Sequence, residues 1–464
     1  MPLVPPLLRR RSTDEYAPLP YTAAERRALH DLDGTVRVGA AATGLPARVY
    51  AYDRRGTAAT LRAVDAAHGG GFFAVPREAE TDLAAADAAF AGGLPVVDVQ
   101  THLVDPGRWS GPGAKALGGF LQAADPERWA DIDPTRIDGA AWASLVFGTS
   151  ETAVALLTST PGTPEQNVLS NPQIAAARDV VDRYAGSGRV LTHTIVHPNL
   201  GPAELDHMAA WHDELRPTGW KVYTLWGPPT AAAPSGGWFL DDDEVGFPFL
   251  ERVRALGPRV VAAHKGISGP IHEAAITAGS PRDIGPASRA FPDIAFVVYH
   301  SGYEPGASDE EGPYASEGEA RGTDRLVRSL ADAGVGPAGN VYAELGTTWF
   351  LMLRRPAEAA HVLGKLLLAL GPDNVVWGTD SIWYGSPQHL IDAFRAFQIP
   401  ASFQERYGYP ALTPDIKDAI LSRNARRVYG ITDDQLAGAA AQAPGWVTNA
   451  AADVRRAVDA ARNL

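Results

Sequence analysis

The 464-residue chain contains no cysteine. No disulfide can form and no thiolate can hold zinc, so any metal must be bound by His, Asp, Glu or an amide oxygen. Long apolar runs are also missing: none approaches the ~18 residues of a membrane helix. Nor is there a phosphate cradle, because Gly69-Gly70-Gly71 is followed by neither GK[ST] nor a spaced GxGxxG after a strand and so reads as a turn. Net positive charge is absent as well. With 41 basic against 54 acidic side chains the net charge is -13, which argues against nucleic acid as the main partner.

What is present is the composition of a globular protein, 45% hydrophobic and 20% charged. The length exceeds one ordinary domain but suits an α/β barrel with insertions. Residues 1–94 read as an alanine-rich helical leader. It opens with three consecutive arginines, Arg9 to Arg11, and carries a second pair at Arg54 and Arg55. Neither is followed by the apolar segment of an export signal, so a structural leader and a cytoplasmic location are expected.

The organising stretch is Pro95 to Asp105, PVVDVQTHLVD. It starts as a β-branched apolar run and turns polar where a buried parallel strand should end. Side chains two apart share a strand face, so Asp98, Gln100 and His102 project together and Val97 and Val99 project the other way. Seven more strand-like runs follow: 154–158, 189–197, 219–224, 259–266, 294–301, 341–346 and 375–380. Helical stretches separate them, with legible stops and starts at Asn171-Pro172, Gly186 and Thr413-Pro414. Strict alternation implies a parallel sheet, and eight units imply a (β/α)8 TIM barrel over 95–430. An open doubly wound sheet is the alternative, disfavoured because no Gly-rich fingerprint follows the first strand. Residues 431–464 read as a helical extension packed outside the barrel or on another subunit.

In a barrel the loops after strand C-termini form the active-site face. Four strands finish in a potential donor: His102, His264 in AAHKG, His300 in VVYHSG and Asp380 in WGTDS. One such histidine is unremarkable, but four donors at four strand ends are hard to assign to structure alone. Two histidines and a carboxylate can hold a divalent ion with a position open for water, and Asp380 can also accept that water's proton. His300, if not a ligand, can orient or protonate substrate. Long loops after strands one, four and six carry Trp109, Trp129, Trp226, Trp238 and Tyr314, any of which can wall a pocket or lie in solvent.

The order QTH, AHKG, YHSG and GTDS, closed by SRNARRVYG, resembles the amidohydrolase superfamily, in particular its branch of related hydrolases and aromatic carboxylate decarboxylases. The resemblance covers about Pro95 to Gly430. It implies that His102, His264 and Asp380 bind one divalent ion (Zn, Mn or Fe) and that His300 is catalytic. The family's strand-one signature is HxH or ExH, so Gln100 departs from it. Gln100 either ligates through its amide oxygen, which suits a harder ion such as Mn²⁺, or bonds a ligated water, or marks loss of the metal.

The resemblance also makes Lys221 on strand four a pocket cation for a substrate carboxylate. Lys265, next to His264, should point to the opposite face. Glu344 can bond a ligand or Lys221; His197 and Trp383 are substrate-contact candidates; Arg354 and Arg355 can attract an anion, with solvated surface as the default. Three functions stay open at this point. The first is a metal-dependent hydrolase acting on a C–N or C–O bond of a small carbonyl- or carboxylate-bearing substrate. The second is a non-oxidative decarboxylase of an aromatic or enoic carboxylate, and the third is a barrel that only binds a ligand. No membrane or nucleic-acid partner is expected, and pairing into a homodimer follows from the resemblance alone.

Overall fold

The computed structural model describes residues 4–464 except 12, 14–17, 110–111, 127–128, 130–132, 187, 269–276, 307–309 and 442–444. Eight strands follow one another: β1 (Val96–Thr101), β2 (Thr152–Leu157), β3 (Val190–Ile195), β4 (Gly219–Val222), β5 (Val260–His264), β6 (Ala295–Tyr299), β7 (Val341–Glu344) and β8 (Val375–Val376). Each pairs in parallel with the next, in the order β1 to β8. The ring closes where Val99 N donates to Trp377 O at 3.0 Å and Asp380 N donates to Gln100 O at 2.9 Å. Thr101 and Ser381 form a parallel bridge across the same seam. The expected (β/α)8 barrel is the fold.

Alternation explains the two faces except in β1, where Val97 and Val99, expected to project away from Gln100 and His102, join the inward cluster because the register shifts between Asp98 and Thr101. Val97, Val99, Val260, Ala262, Val297, Tyr299 and Val376 meet in one buried cluster inside the ring. Their neighbours Trp220, Val222, Val261, Ala263, Phe296 and Val298 pack outward, with Leu250, Val253 and Leu326 from the surrounding helices. The last strand is shorter than the apolar run predicts. Beyond Val376 the chain is held by Asp98, whose carboxylate accepts from Thr379 N at 3.0 Å and from the Thr379 hydroxyl.

Helix Asn171–Ala185 begins one residue earlier than expected, with Ser170 as cap, Gln173 completing a capping box, and Gly186 ending it at φ 81. Thr413 and Pro414 start the closing helix as expected. In the leader, helices Ala23–Thr43 and Arg54–Ala67 pack together. Their buried side chains, including Leu32, Val36 and Leu61, join Phe394 and Phe397 of the barrel's outer helices in one continuous cluster. An antiparallel bridge between Phe73 and Phe397 stitches the leader on. Among the described residues, no helix is long and apolar enough to cross a membrane.

The C-terminal helix Trp446–Ala460 packs on this chain's own helices Asn171–Ala185 and Gly139–Ala143. Just beyond it, Arg462 forks onto the buried Asp105 (Nε to Oδ2 2.6 Å, NH2 to Oδ1 2.8 Å). Gln173 Nε2 adds 2.8 Å to Oδ2. Asp105 lies in the loop after β1, so the C-terminus fixes the segment that leaves His102. Burial alone would raise the Asp105 carboxyl, but hydrogen bonds from Arg462, Gln173 and Gly107 N outweigh it and hold it below its ordinary value. Its stabilising contribution is therefore present above the ordinary carboxylate range and is lost as pH falls through the lowered value. Arg462→Ala should cost ~1–3 kcal/mol in urea unfolding at neutral pH and move the onset of acid unfolding to higher pH. An unchanged midpoint and acid limb would show that the latch carries no stability.

Candidate active site

Five strand ends supply a polar belt across the mouth of the barrel. At the β8–β1 seam Asp380 is the hub: its Oδ1 lies 3.0 Å from Gln100 Nε2 and 2.9 Å from His102 Nε2. Its Oδ2 accepts from the Thr347 hydroxyl. At β5 and β6 the rings of His264 and His300 meet at 4.7 Å between centroids. Glu344 at the end of β7 joins the two halves. Its Oε2 accepts from His300 N at 3.1 Å and its Oε1 from Gly346 N at 2.5 Å. All these side chains are buried.

Backbone carbonyls set the ring tautomers. His102 Nδ1 is 3.1 Å from Thr158 O, and His300 Nδ1 is 2.7 Å from Gly346 O. A carbonyl only accepts, so each Nδ1 carries a proton and each Nε2 is turned toward the mouth. The contact between His102 Nε2 and Asp380 Oδ1 is not aligned for a hydrogen bond. Four residues of this belt have positive φ without being glycine: His300 (64°), Ser301 (55°), Thr347 (54°) and Asp380 (58°). That conformation costs energy and persists only where surrounding bonds enforce it, commonly at functional sites.

Two glycines make room. A Cβ on Gly346 would lie 2.1 Å from Gln100 Oε1 and 2.6 Å from Glu344 Oε1. On Gly378 it would lie 1.7 Å from Glu344 Oε1. Burial pushes the Glu344 carboxyl up to about 7, although the nearby His300 and its backbone bonds pull the other way.

The remaining candidates distribute unevenly. Lys221 is buried on β4, with Nζ 3.4 Å from the centre of the Tyr299 ring and 4.6 Å from that of Tyr223. Trp383 is buried with its ring 6.5 Å from that of His102. His197 shares no hydrogen bond or ring contact with the belt among the described residues; burial lowers it to about 4. Lys265 points away as expected and pairs with Asp283 at 2.7 Å. Trp238 belongs to the core against Phe249, and Tyr314 is exposed. Arg354 and Arg355 are not solvated, contrary to the default reading. Both are about 4% exposed; Arg354 pairs with Glu25 of the leader at 3.5 Å, and Arg355 donates to Gly306 O. The leader's Glu25 meets Arg354, and barrel residues Gly306 and Glu358 meet Arg355, which strand patterning alone does not reveal.

Sequence reasoning passed over Thr347, whose hydroxyl bonds Asp380 and also meets Tyr384 OH at 2.5 Å. Its position in ELGTTW, just past β7 on the active-site face, was the available signal. It also passed over Thr158 and Gly346, which act through backbone carbonyls and leave no side-chain signature. Among the described residues, no group of three or more His, Asp or Glu side chains gathers at metal-ligand spacing. The belt instead presents two pairs, His102 with Asp380 and His264 with His300.

A family model described as Amidohydrolase matches residues 97–431, most of the chain. The chain belongs to the amidohydrolase family. Similar solved structures include the amidohydrolase 2 of Bifidobacterium longum subsp. infantis, 14% identical with a TM-score of 0.38 over 73% of this chain and 100% of that one. The 5-carboxyvanillate decarboxylase of Novosphingobium aromaticivorans, with manganese and a nitrobenzoic acid bound, is 14% identical with a TM-score of 0.44 (73% and 98%). The dihydroxybenzoic acid decarboxylase of Polaromonas sp. JS666, with manganese and 2-nitroresorcinol, is 13% identical with a TM-score of 0.41 (75% and 99%). No curated protein matches. In this amidohydrolase, Gly346→Ala should force Gln100 and Glu344 apart. It should cost ~1–3 kcal/mol in denaturant unfolding, and a midpoint equal to wild type would show that the belt yields freely there.

Proposed function

We propose that this amidohydrolase is a metal-dependent hydrolase of a small carbonyl- or carboxylate-bearing molecule, with the ion held by His102, His264 and Asp380. One observation carries the reading. His102 Nε2 and Asp380 Oδ1 lie 2.9 Å apart, buried, with the histidine proton committed to Thr158 O and no hydrogen-bond alignment between them. An unprotonated Nε2 facing a carboxylate at that distance is repelled unless a cation lies between. Two ligands each ~2.1 Å from one ion are themselves roughly 3 Å apart. By chemistry the donor set, two imidazole nitrogens and a carboxylate with no sulfur, suits a zinc, manganese or iron ion. Of the three, only His102 and Asp380 already stand at ligand spacing, and His264 would have to close on them.

When bound, such an ion supplies Lewis acidity toward a substrate carbonyl and toward water. The chain's own groups do the rest. Asp380 keeps Oδ2 tied to Thr347 and Oδ1 tied to Gln100, so it is oriented to take a proton from the attacking water. Asp380 would then return that proton to the leaving atom, while His300, fixed by Gly346 O, presents Nε2 to orient the substrate. Gln100 acts here by orienting Asp380 through its amide nitrogen. Its Oε1, buried and without a hydrogen-bond partner among the described residues, remains available as a further weak donor.

A second reading is non-oxidative decarboxylation, favoured by Lys221. An ammonium buried against Tyr299 on the inner side of β4 is a natural counter-charge for a substrate carboxylate. The two readings separate when a panel of lactones, amides and hydroxybenzoates is turned over in ¹⁸O water. Label in the organic product supports hydrolysis; CO₂ release without label supports the second reading.

The metal assignment has its own test. Protein purified without chelator should carry close to one equivalent of Mn, Fe or Zn, and His102→Asn or Asp380→Asn should lose most of it. Less than about a tenth of an equivalent, with none taken up on reconstitution, overturns the assignment and leaves a ligand-binding barrel. His300→Asn should keep metal near wild type while losing turnover ~100-fold or more. Parallel loss of metal would make His300 a ligand.

A further inference from the structure

A cavity of about 1190 Å³ lies just outside the belt, under the leader, and no belt residue lines it. Among the described residues its walls carry six arginines, Arg9, Arg10, Arg11, Arg48, Arg54 and Arg136, no lysine, and two carboxylates, Asp125 and Asp392. In a chain of net charge -13 this is a strong local reversal of sign.

Two of the arginines are balanced. Arg11 lies 3.2 Å from Asp125, and Arg54 pairs with Asp87, Glu151 and Asp392. Arg9 and Arg10 are held differently. Arg9 Nε donates to Val4 O at 2.8 Å and the guanidinium lies over Tyr52, while Arg10 donates to Leu19 O and Pro18 O, each at 2.9 Å. Backbone carbonyls aim a guanidinium without cancelling its charge. Arg48 is exposed on the short helix Ala47–Tyr52. The inner wall is formed in part by Tyr384, whose hydroxyl meets Thr347, which in turn bonds Asp380. One side chain therefore separates the arginine cavity from the belt.

We infer that this cavity is an oxyanion-binding chamber that takes a small molecule bearing two or more carboxylate or phosphate groups. Guanidinium forks match both groups in bidentate fashion, which a lysine-lined site would not. The volume is ample for a small molecule and its bound water, and concavity inside an acidic protein disfavours nucleic acid or a lipid surface as the occupant. That the chamber feeds Asp380 rests on the function proposed above; that it binds oxyanions does not.

The test is calorimetric titration with three probes: benzene-1,3,5-tricarboxylate, its neutral tricarboxamide, and inorganic phosphate. Each is run on metal-loaded and on chelator-stripped protein, since no belt residue lines the cavity and a failed metal assignment would leave the result standing. Wild type should bind the tricarboxylate, phosphate or both, with affinity falling as salt rises, and should not bind the tricarboxamide. Arg10→Gln/Arg48→Gln should weaken anion binding about tenfold or more at an unchanged unfolding midpoint. Binding of phosphate without tricarboxylate, or the reverse, identifies which oxyanion the chamber prefers. Should the double variant not fold, Arg48→Gln alone, at an exposed position, must weaken binding about threefold. Equal affinity of wild type and variant, equal binding of the tricarboxamide, or no anion binding at all overturns the inference and leaves the arginines as ties between leader and barrel.

Discussion

Closure of the barrel at the β8–β1 seam is the constraint on which the site depends. Asp98 holds Thr379 from the β1 side, Asp380 N bonds Gln100 O, and His102 N bonds Ser381 O at 2.6 Å. Those bonds impose φ 58° on Asp380, a conformation an isolated aspartate would seldom adopt. Only in that conformation does its carboxylate meet Gln100, His102 and Thr347 together. An open sheet with the same eight strands would leave β1 and β8 at opposite edges and Asp380 without these partners.

Burial governs the electrostatics that follow. Asp98 and Glu344 are both pushed up to about 7, chiefly by loss of water, so the mouth of the barrel carries less fixed negative charge than its carboxyl count implies. Asp98 keeps hydrogen bonds from Thr379 and Gln100 N, and Glu344 keeps two from backbone amides, so neither group is stranded. Histidine orientation is fixed the same way, by carbonyls of Thr158 and Gly346 that belong to neighbouring strand ends. Backbone geometry thus decides which atom of each ring faces the mouth, and a change in any one strand end is felt at the others.

How much of this could be read from residues alone depended on range. The eight strands were legible because β-branched runs such as VVDV, RVVAA and FVVY occur at regular intervals between capped helices, a local signal. His102, His264, His300 and Asp380 were legible as strand-terminal donors for the same reason. What the pattern did not carry was how they sort into pairs. That arrangement comes from the register shifts in β1 between Asp98 and Thr101 and from the positive-φ residues after β6, β7 and β8. The leader's role was hidden for a different reason. The triple arginine raised the question of an export signal, yet Arg9, Arg10 and Arg11 reach a cavity whose other wall, at Tyr384 and His389, lies more than three hundred residues further along the chain. Likewise Arg354 read as solvated until Glu25 and Phe350 were seen to enclose it.

The division of labour between these segments bears on specificity. The family match begins at residue 97, so the belt at the strand ends is the part this chain shares with other amidohydrolases. Five of the six arginines of the outer cavity lie before that point, and Arg462, which steadies the loop after β1, lies beyond residue 431. On the proposed reading, the barrel residues would set what kind of bond is attacked and the leader would set which molecule reaches it. The leader's apolar residues merge with the barrel's outer layer in one cluster, so packing anchors the segment that carries these arginines. A rigid, pre-aimed set of guanidinium groups loses little side-chain freedom on binding, which is the physical reason to build such a surface from a packed helical segment and not from a loose loop.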